Sequence, residues 1–354
     1  MLNEIVEINN FGPLAKVSWP NLGPINLVIG ENDSGKTFLL KVLYSVMRTL
    51  EEYKRGEDRR TAAEILAEKL YWTFQPDKIG DLVTKGADAA LSCAVQFDAH
   101  SFKYSFGKDT TRQIATLENH VPPRSSNSIF LPAKEILSLL QIILKSREQD
   151  KEFGFDDTYL DLARALRQSP KTGGIGKTGG TGATGQTGGK GYPEFGKSRQ
   201  SLEKILGGRI EYDEATGRWQ FKKGKQKFPI GVTAEGIKKI AILDTLLGNR
   251  YLDTSSIIFF DEPESALHPV AISQLLDIVA VLTDQGIQFF LASHSYFVVK
   301  KLFLIAQKKN ISIPVISPQD TRWTPANLKD GMPENAIIDE SIRLYKEEVG
   351  WALA

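Results

Sequence analysis

Gly30-Glu31-Asn32-Asp33-Ser34-Gly35-Lys36-Thr37 fits G-x-x-x-x-G-K-[ST], the spacing of a loop that cradles phosphate oxygens. Its small residues let backbone N–H groups turn toward an anion, and a helix starting behind the loop adds the positive end of its dipole. In such a loop Lys36 reaches the outer phosphates of a nucleotide and the Thr37 hydroxyl meets Mg²⁺. The nucleotide-binding residues expected from this stretch are Asn32, Asp33, Ser34, Gly35, Lys36, Thr37 and Phe38.

Two later stretches could complete the chemistry. The apolar run Ile257-Ile258-Phe259-Phe260 ends in Asp261-Glu262-Pro263. Asp261 is placed to support Mg²⁺ and its water shell, and Glu262 to polarise a water for in-line attack. Adjacent strand residues point to opposite faces, so both acids can serve one site only if the chain turns there, where Pro263 sits. Ile287 to Ala292 is a second apolar run, ending at Ser293-His294-Ser295. His294 reads as a sensor of the terminal phosphate if the strands are neighbours, or as a structural cap if they are not. Thr233-Ala234-Glu235-Gly236 precedes a helical pattern running to Leu247. Gly236 at a helix start lets backbone approach an anion; a simple helix N-terminus is the other reading.

The elements that must position these residues follow from periodicity. Glu4 to Ile8 and Ala15 to Trp19 alternate as half-buried strands, and Ile25 to Ile29 leads into the phosphate loop. Phe38 to about Glu68 is helical in composition. Ala90–Phe97 and Ser101–Phe106 form a strand pair, and Ser128–Leu131 a short buried strand stopped by Pro132. Ile136 to Lys145 and Tyr159 to Arg167 have helical spacing. Residues 171–191, KTGGIGKTGGTGATGQTGGKG, cannot bury enough apolar surface to order and read as a flexible loop. Gln200 to Leu206 is a short helix, followed by a hairpin across Asp213 to Gly217. Lys222, Lys223, Lys225 and Lys227 then fit either a solvated hairpin edge or a nucleic-acid surface.

A chain of 354 residues with 41% hydrophobic and 25% charged residues is of globular type. A net charge of +1 announces neither a nucleic-acid nor a membrane surface. Cys93 is the single cysteine, which excludes an intrachain disulfide and a cysteine zinc cluster. No apolar run is long enough to span a bilayer, and the acidic start, Met1 to Glu7, lacks the plan of a secretion signal. A cytoplasmic, soluble protein is expected, with no membrane partner.

The order of phosphate loop, Thr233-Ala234-Glu235-Gly236, D-E-P-E-S-A-L-H-P from Asp261 to Pro269 and L-A-S-H-S from Leu291 to Ser295 resembles the ABC-type ATPases of the SMC-like branch. It is similar to the compact proteins related to the OLD family. Ile8 to Pro13 and Asp330 to Asn335 share in the resemblance; residues 50–200 carry little of it. The resemblance implies an α/β P-loop NTPase with an ABC/SMC-like head, a mixed sheet flanked by helices with an antiparallel β-subdomain, and a short helical insertion. The expected organisation is residues 1–128 for the first part of the head, 129–199 for the insertion and 200–354 for the rest.

By the same resemblance the cofactors are ATP and Mg²⁺, the latter held by Thr37 and Asp261. Glu262 is the catalytic base and His294 the switch histidine. Thr233, Ala234, Glu235 and Gly236 cap ATP bound to a second copy, and Ser265, Ala266 and Leu267 lie in the loop crossing that interface. The capping motif of such proteins offers a Ser where Ala234 stands. Their Mg²⁺-contacting Gln has no clear counterpart; Gln96 and Pro132 to Glu135 are candidates. The implied function is an ATP-hydrolysing switch, a homodimer or larger homo-oligomer. It would control a separately encoded nuclease or Toprim-type effector in anti-phage defence, as in PARIS-like and Septu-like systems, with DNA or a phage product as trigger. Alternatives are a DNA-repair or chromosome-maintenance ATPase and an ATP-sensing scaffold with negligible turnover. The missing long arms argue against the former.

Overall fold

The computed structural model describes residues 1–168, 195–213, 216–319 and 322–352. The Gly-rich stretch expected at 171–191 lies outside them. The strands are β1 (Leu2–Phe11), β2 (Leu14–Trp19), β3 (Ile25–Ile29), β4 (Leu91–Phe97), β5 (His100–Phe106), β6 (Thr116–Asn119), β7 (Ile129–Leu131), β8 (Arg209–Asp213), β9 (Arg218–Lys223), β10 (Gln226–Pro229), β11 (Ile257–Asp261), β12 (Gln288–Ser293), β13 (Pro314–Gln319) and β14 (Arg322–Asn327). The helices are α1 (Lys36–Glu52), α2 (Ala62–Phe74), α3 (Leu140–Leu144), α4 (Asp157–Arg167), α5 (Gly196–Leu206), α6 (Glu235–Gly248), α7 (Pro269–Asp284), α8 (Tyr296–Lys309) and α9 (Ala336–Ala352).

Among the described residues the strands form three sheets. The central one has the order β14-β13-β3-β12-β11-β7, parallel from β13 to β7 with β14 antiparallel at one edge. An antiparallel sheet, β2-β1-β4-β5-β6, lies beyond α1, and β10-β9-β8 is a separate meander. Every residue of β3, β11 and β12 is buried, the signature of parallel strands covered on both faces.

Alternation divides those strands between two cores. Ile257, Phe259 and Phe290 pack with the apolar side of α1 and with the antiparallel sheet. Ile258, Phe260, Phe289 and Leu291 face α4 through α8. Helix α1 is thus sandwiched between two sheets, which is why most of its residues are buried. The buried hydroxyls of Ser45 and Thr49 are satisfied by carbonyls one turn back, at 2.9 and 2.8 Å.

The helical stretch expected from Phe38 to Glu68 is broken. Helix α1 ends at Glu52, and α2 begins at a capping box in which Thr61 and Glu64 satisfy each other's backbone. Helix α3 starts at Leu140 rather than Ile136. The two strands expected before the phosphate loop, the pair at 91–106 and the buried strand at 129–131 are present.

A buried ionic cluster ties α1 to α2 and α4. Asp161 accepts from Tyr44 Oη at 2.8 Å and Arg48 Nε at 3.2 Å, with Lys69 Nζ at 3.9 Å. Arg48 also meets Glu51 and Glu52, and Lys69 meets Glu52 and Asp157. Burial pushes the Asp161 carboxyl up, but Lys69 and Arg48 outweigh it and hold it at about 2. A depressed carboxyl stabilises the fold above the ordinary carboxylate range, and that contribution is lost as pH falls toward the folded value. Removing the charge would leave Arg48 and Lys69 buried and under-compensated. Asp161→Asn is therefore expected to cost about 3–5 kcal/mol in a denaturant titration, far more than breaking an exposed pair such as Arg343–Glu340.

Candidate nucleotide site

Register brings the chemistry to one edge. Ser293 lies opposite Ile29, and Asp261 opposite Ala292, so β3, β12 and β11 end side by side. Gly30, Asp261-Glu262 and Ser293-His294 leave the sheet at this carboxyl edge, where parallel sheets bind ligands.

The phosphate loop wraps the end of β3 and enters α1. Gly35, the residue before the helix, has φ +88°, a conformation glycine adopts without cost. Lys36 is buried, and its ammonium donates to the carbonyls of Gly30 at 2.9 Å and Glu31 at 2.6 Å. Burial lowers the Lys36 pKa against the pull of Asp261, Glu262 and Glu264. The Ser34 hydroxyl is buried without a hydrogen-bond partner. A cleft of about 740 Å³ opens over the loop, its walls including Asn32, Lys36, Thr37, Phe38, Lys41 and Glu262.

Asp261 continues the alternation of Ile257 and Phe259 toward α1. The Thr37 hydroxyl, at the start of α1, meets both its oxygens at 2.9 and 3.0 Å. Burial raises the Asp261 carboxyl to about 6; the Thr37 bond, Lys41 and Lys239 oppose the shift and Glu262 adds to it. Glu262 then turns the chain with φ +46°. Its N–H donates to Ala292 O at 2.9 Å, and its Oε1 lies 3.1 Å from His294 Nδ1. Both side chains remain partly exposed. Glu264 caps the end of β12, accepting from Ser293 Oγ at 2.8 Å and the His294 N–H at 3.3 Å.

These groups suit a nucleotide with a divalent cation. The Lys36 ammonium and the orphaned Ser34 hydroxyl face loop groups that phosphate oxygens would replace or satisfy, and the buried Asp261 carboxylate calls for a positive neighbour. Among the described residues no cluster of three or more His, Cys, Asp or Glu could hold a metal by itself.

Thr233 to Gly236 stand apart from this cleft. Thr233 precedes α6, Ala234 is its cap residue without a side-chain bond, and Glu235 and Gly236 open the helix. None of the four lines the cleft over the phosphate loop. Ala234 therefore offers the first N–H groups of α6 no side-chain acceptor. Gly236 is buried against the turn after β11, where a Cβ would come within 2.4 Å of the Ala266 carbonyl oxygen. Gly236 thus has a packing reason as well as the one expected from its position at a helix start.

Sequence reasoning missed several neighbours. Lys41 and Asp156, paired at 2.6 Å, and Thr73, Phe74 and Gln75 at the end of α2 all line the cleft. They come from segments remote in sequence and carry no motif. Gln96 is not at the site: it lies on β4 and its amide donates to the Asp98 carbonyl at 3.1 Å. Glu135 is turned to Lys238 of α6 at 2.8 Å.

Fold and site together define a P-loop nucleotide-binding ATPase. A family model described as "AAA domain, putative AbiEii toxin, Type IV TA system" matches residues 100–300, and the chain belongs to that family. The match takes in Gly236, Asp261-Glu262 and His294; the phosphate loop lies upstream. The chain is similar to the SMC head bound to the C-winged helix domain of ScpA, at 13% identity over 92% of this chain and 97% of that one, with a TM-score of 0.51. It also matches the SMC head from Thermotoga maritima (11% identity, 92% and 98%, TM-score 0.47). A third match is the SMC head with an extended coiled coil, bound to the C-terminal domain of ScpA, from Pyrococcus furiosus (11%, 98% and 98%, TM-score 0.48). No curated protein matches the chain. The fold is SMC-head-like, as the sequence motifs imply. No helix among the described residues is long and apolar enough to cross a membrane.

The raised Asp261 carboxyl sets a pH test. Below about 6 it holds a proton that a cation must displace; above, the cation meets a bare carboxylate. The thermal stabilisation by ATP with Mg²⁺ over ATP with a chelator is therefore expected to grow from pH 5 to pH 7.5. It should lose that pH dependence in Asp261→Asn.

Proposed function

We propose that this chain is an ATP-driven switch that closes around ATP as a homodimer or larger homo-oligomer and hydrolyses it. The observation that carries the reading is a separation. Lys36, Thr37, Asp261, Glu262 and His294 converge on one sheet edge, while Thr233 to Gly236 stand outside the cleft, at a start of α6 with no side-chain cap. On this reading a second copy brings its own Thr233 to Gly236 to the nucleotide.

In this assignment Asn32 to Phe38 hold the nucleotide, with Lys36 on the outer phosphates. Thr37 and Asp261 would hold Mg²⁺, which screens the phosphate charge when bound. Glu262 takes a proton from the attacking water, and His294, beside it at 3.1 Å, senses the terminal phosphate. Ser265, Ala266 and Leu267 fall at the subunit contact. The ATPase head spans both ends of the chain; β7 at Ile129–Leu131 pairs with β11 in its central sheet, so the insertion expected from residue 129 begins after Leu131.

Its output, on this reading, is a change of assembly that controls a separately encoded effector, such as a nuclease, in anti-phage defence. The toxin and TA system named in the family's description support a defence role, as does the likeness of the motifs to OLD-related proteins. The SMC head seen with ScpA supports docking of a second protein on such a head. An ATP-sensing scaffold with slow turnover is a second reading, favoured by Ala234, which brings no hydroxyl to the nucleotide.

Glu262→Gln should abolish hydrolysis while trapping dimers or larger assemblies when ATP and Mg²⁺ are added, read as mass in solution. Unaltered turnover and unaltered mass would sink the assignment. Gly236→Val, which drives side-chain atoms into the Ala266 carbonyl, should retain ATP binding but lose ATP-driven assembly.

A further inference from the structure

Helix α6 is joined to the turn after β11 at two points. One is the close approach of Gly236 to Ala266 and Leu267. The other is Lys239, one turn along α6, whose buried ammonium donates to the Glu262 carbonyl oxygen at 2.6 Å. That carbonyl also accepts the Ser265 N–H at 3.0 Å, and the Glu262 N–H is held by β12.

Glu262 needs such restraint. A non-glycine residue at φ +46° is left-handed, a disfavoured conformation that persists only where surroundings impose it. Here the imposed backbone aims a side chain at His294. One of the bonds imposing it comes from the helix whose first residues are expected to cap a nucleotide.

We propose that Lys239 is a positioning residue, coupling capture of a nucleotide at the start of α6 to placement of the Glu262 carboxylate through its bond to the Glu262 carbonyl. The inference rests on the shared-site reading. There, the α6 start of one chain caps the ATP on its partner, while Glu262 of that same chain serves its own ATP. A shift of α6 on capture carries the Lys239 ammonium with it, and the Glu262 peptide follows. Occupancy of one site is thereby reported to the glutamate of the other. Burial lowers the Lys239 ammonium to about 8, against the pull of Glu264, Asp261, Glu262 and Glu235, so it still donates at neutral pH.

Lys239→Met keeps an apolar stem and removes the donor. Misplacing a reacting group by a fraction of an ångström to 1 Å costs on the order of 10- to 100-fold in rate. The full chain with Lys239→Met is therefore expected to lose roughly that much kcat, with ATP affinity within about twofold of wild type. The Hill coefficient for ATP should fall to about 1, the value for independent sites. Lys239→Arg, which retains a donor, should recover most of the rate. In the Glu262→Gln background, Lys239→Met should still form ATP-trapped assemblies. A merely stabilising Lys239 would lower the melting temperature and leave kcat and the Hill coefficient unchanged, which overturns the inference. Should the methionine variant not fold, Lys239→Gln, whose amide is too short to reach the carbonyl, gives the same contrast. A wild-type chain that neither hydrolyses ATP nor assembles overturns the shared-site reading itself. A wild type that does both, beside an unaffected Lys239→Met, overturns only the role of Lys239.

Discussion

The hydrogen bonds from the Thr37 hydroxyl to the Asp261 carboxylate join two parts of the chain 224 residues apart. They exist because strict alternation along a fully buried strand sends Asp261 to the α1 side, and because α1 begins at the phosphate loop. Little freedom remains. A one-residue slip of β11 would present Phe260 to Thr37 and send Asp261 into the apolar core against α7. The apolar residues of β11 therefore secure the register of a polar site.

From that bond outward the site grows less rigid. Asp261 is buried; Glu262 and His294 are partly exposed; the start of α6 is out of reach of the cleft. Such a gradient suits a half-site. On the proposed function, the groups expected to hold a nucleotide are preformed, and those expected to complete the chemistry sit at the lip, where a second copy could act on them. The buried ions linking α1 to α2 and α4 keep the preformed half stiff, at a desolvation cost that only full pairing offsets.

Much of this was legible in the sequence. The phosphate loop, the Asp-Glu strand end and the histidine strand end are local patterns, and their strands are apolar enough to be recognised as central. The capping box at Thr61 and Glu64 was also local, and it marks the break that composition alone obscured between Phe38 and Glu68. Lys41 with Asp156, Gln75 and Lys239 were not legible as site neighbours. Each depends on a tertiary approach that no spacing encodes. Gln96 shows the converse: a plausible residue type on a strand that leads elsewhere. The packing of Gly236 on Ala266 was likewise invisible, since a glycine at a helix start already had a reason to be there.

The central claim is that each nucleotide is held by one chain and capped by another. Two variants of the Glu262→Gln chain test it, one also carrying Lys36→Ala and the other Gly236→Val, labelled with a donor and an acceptor dye. Energy transfer on addition of ATP and Mg²⁺ is the measurement. Neither variant should pair with itself, while the mixture should, because the intact phosphate loop of one meets the intact α6 start of the other. ATP-dependent pairing of the Gly236→Val chain with itself, or none in the mixture while the Glu262→Gln parent pairs, would contradict the account.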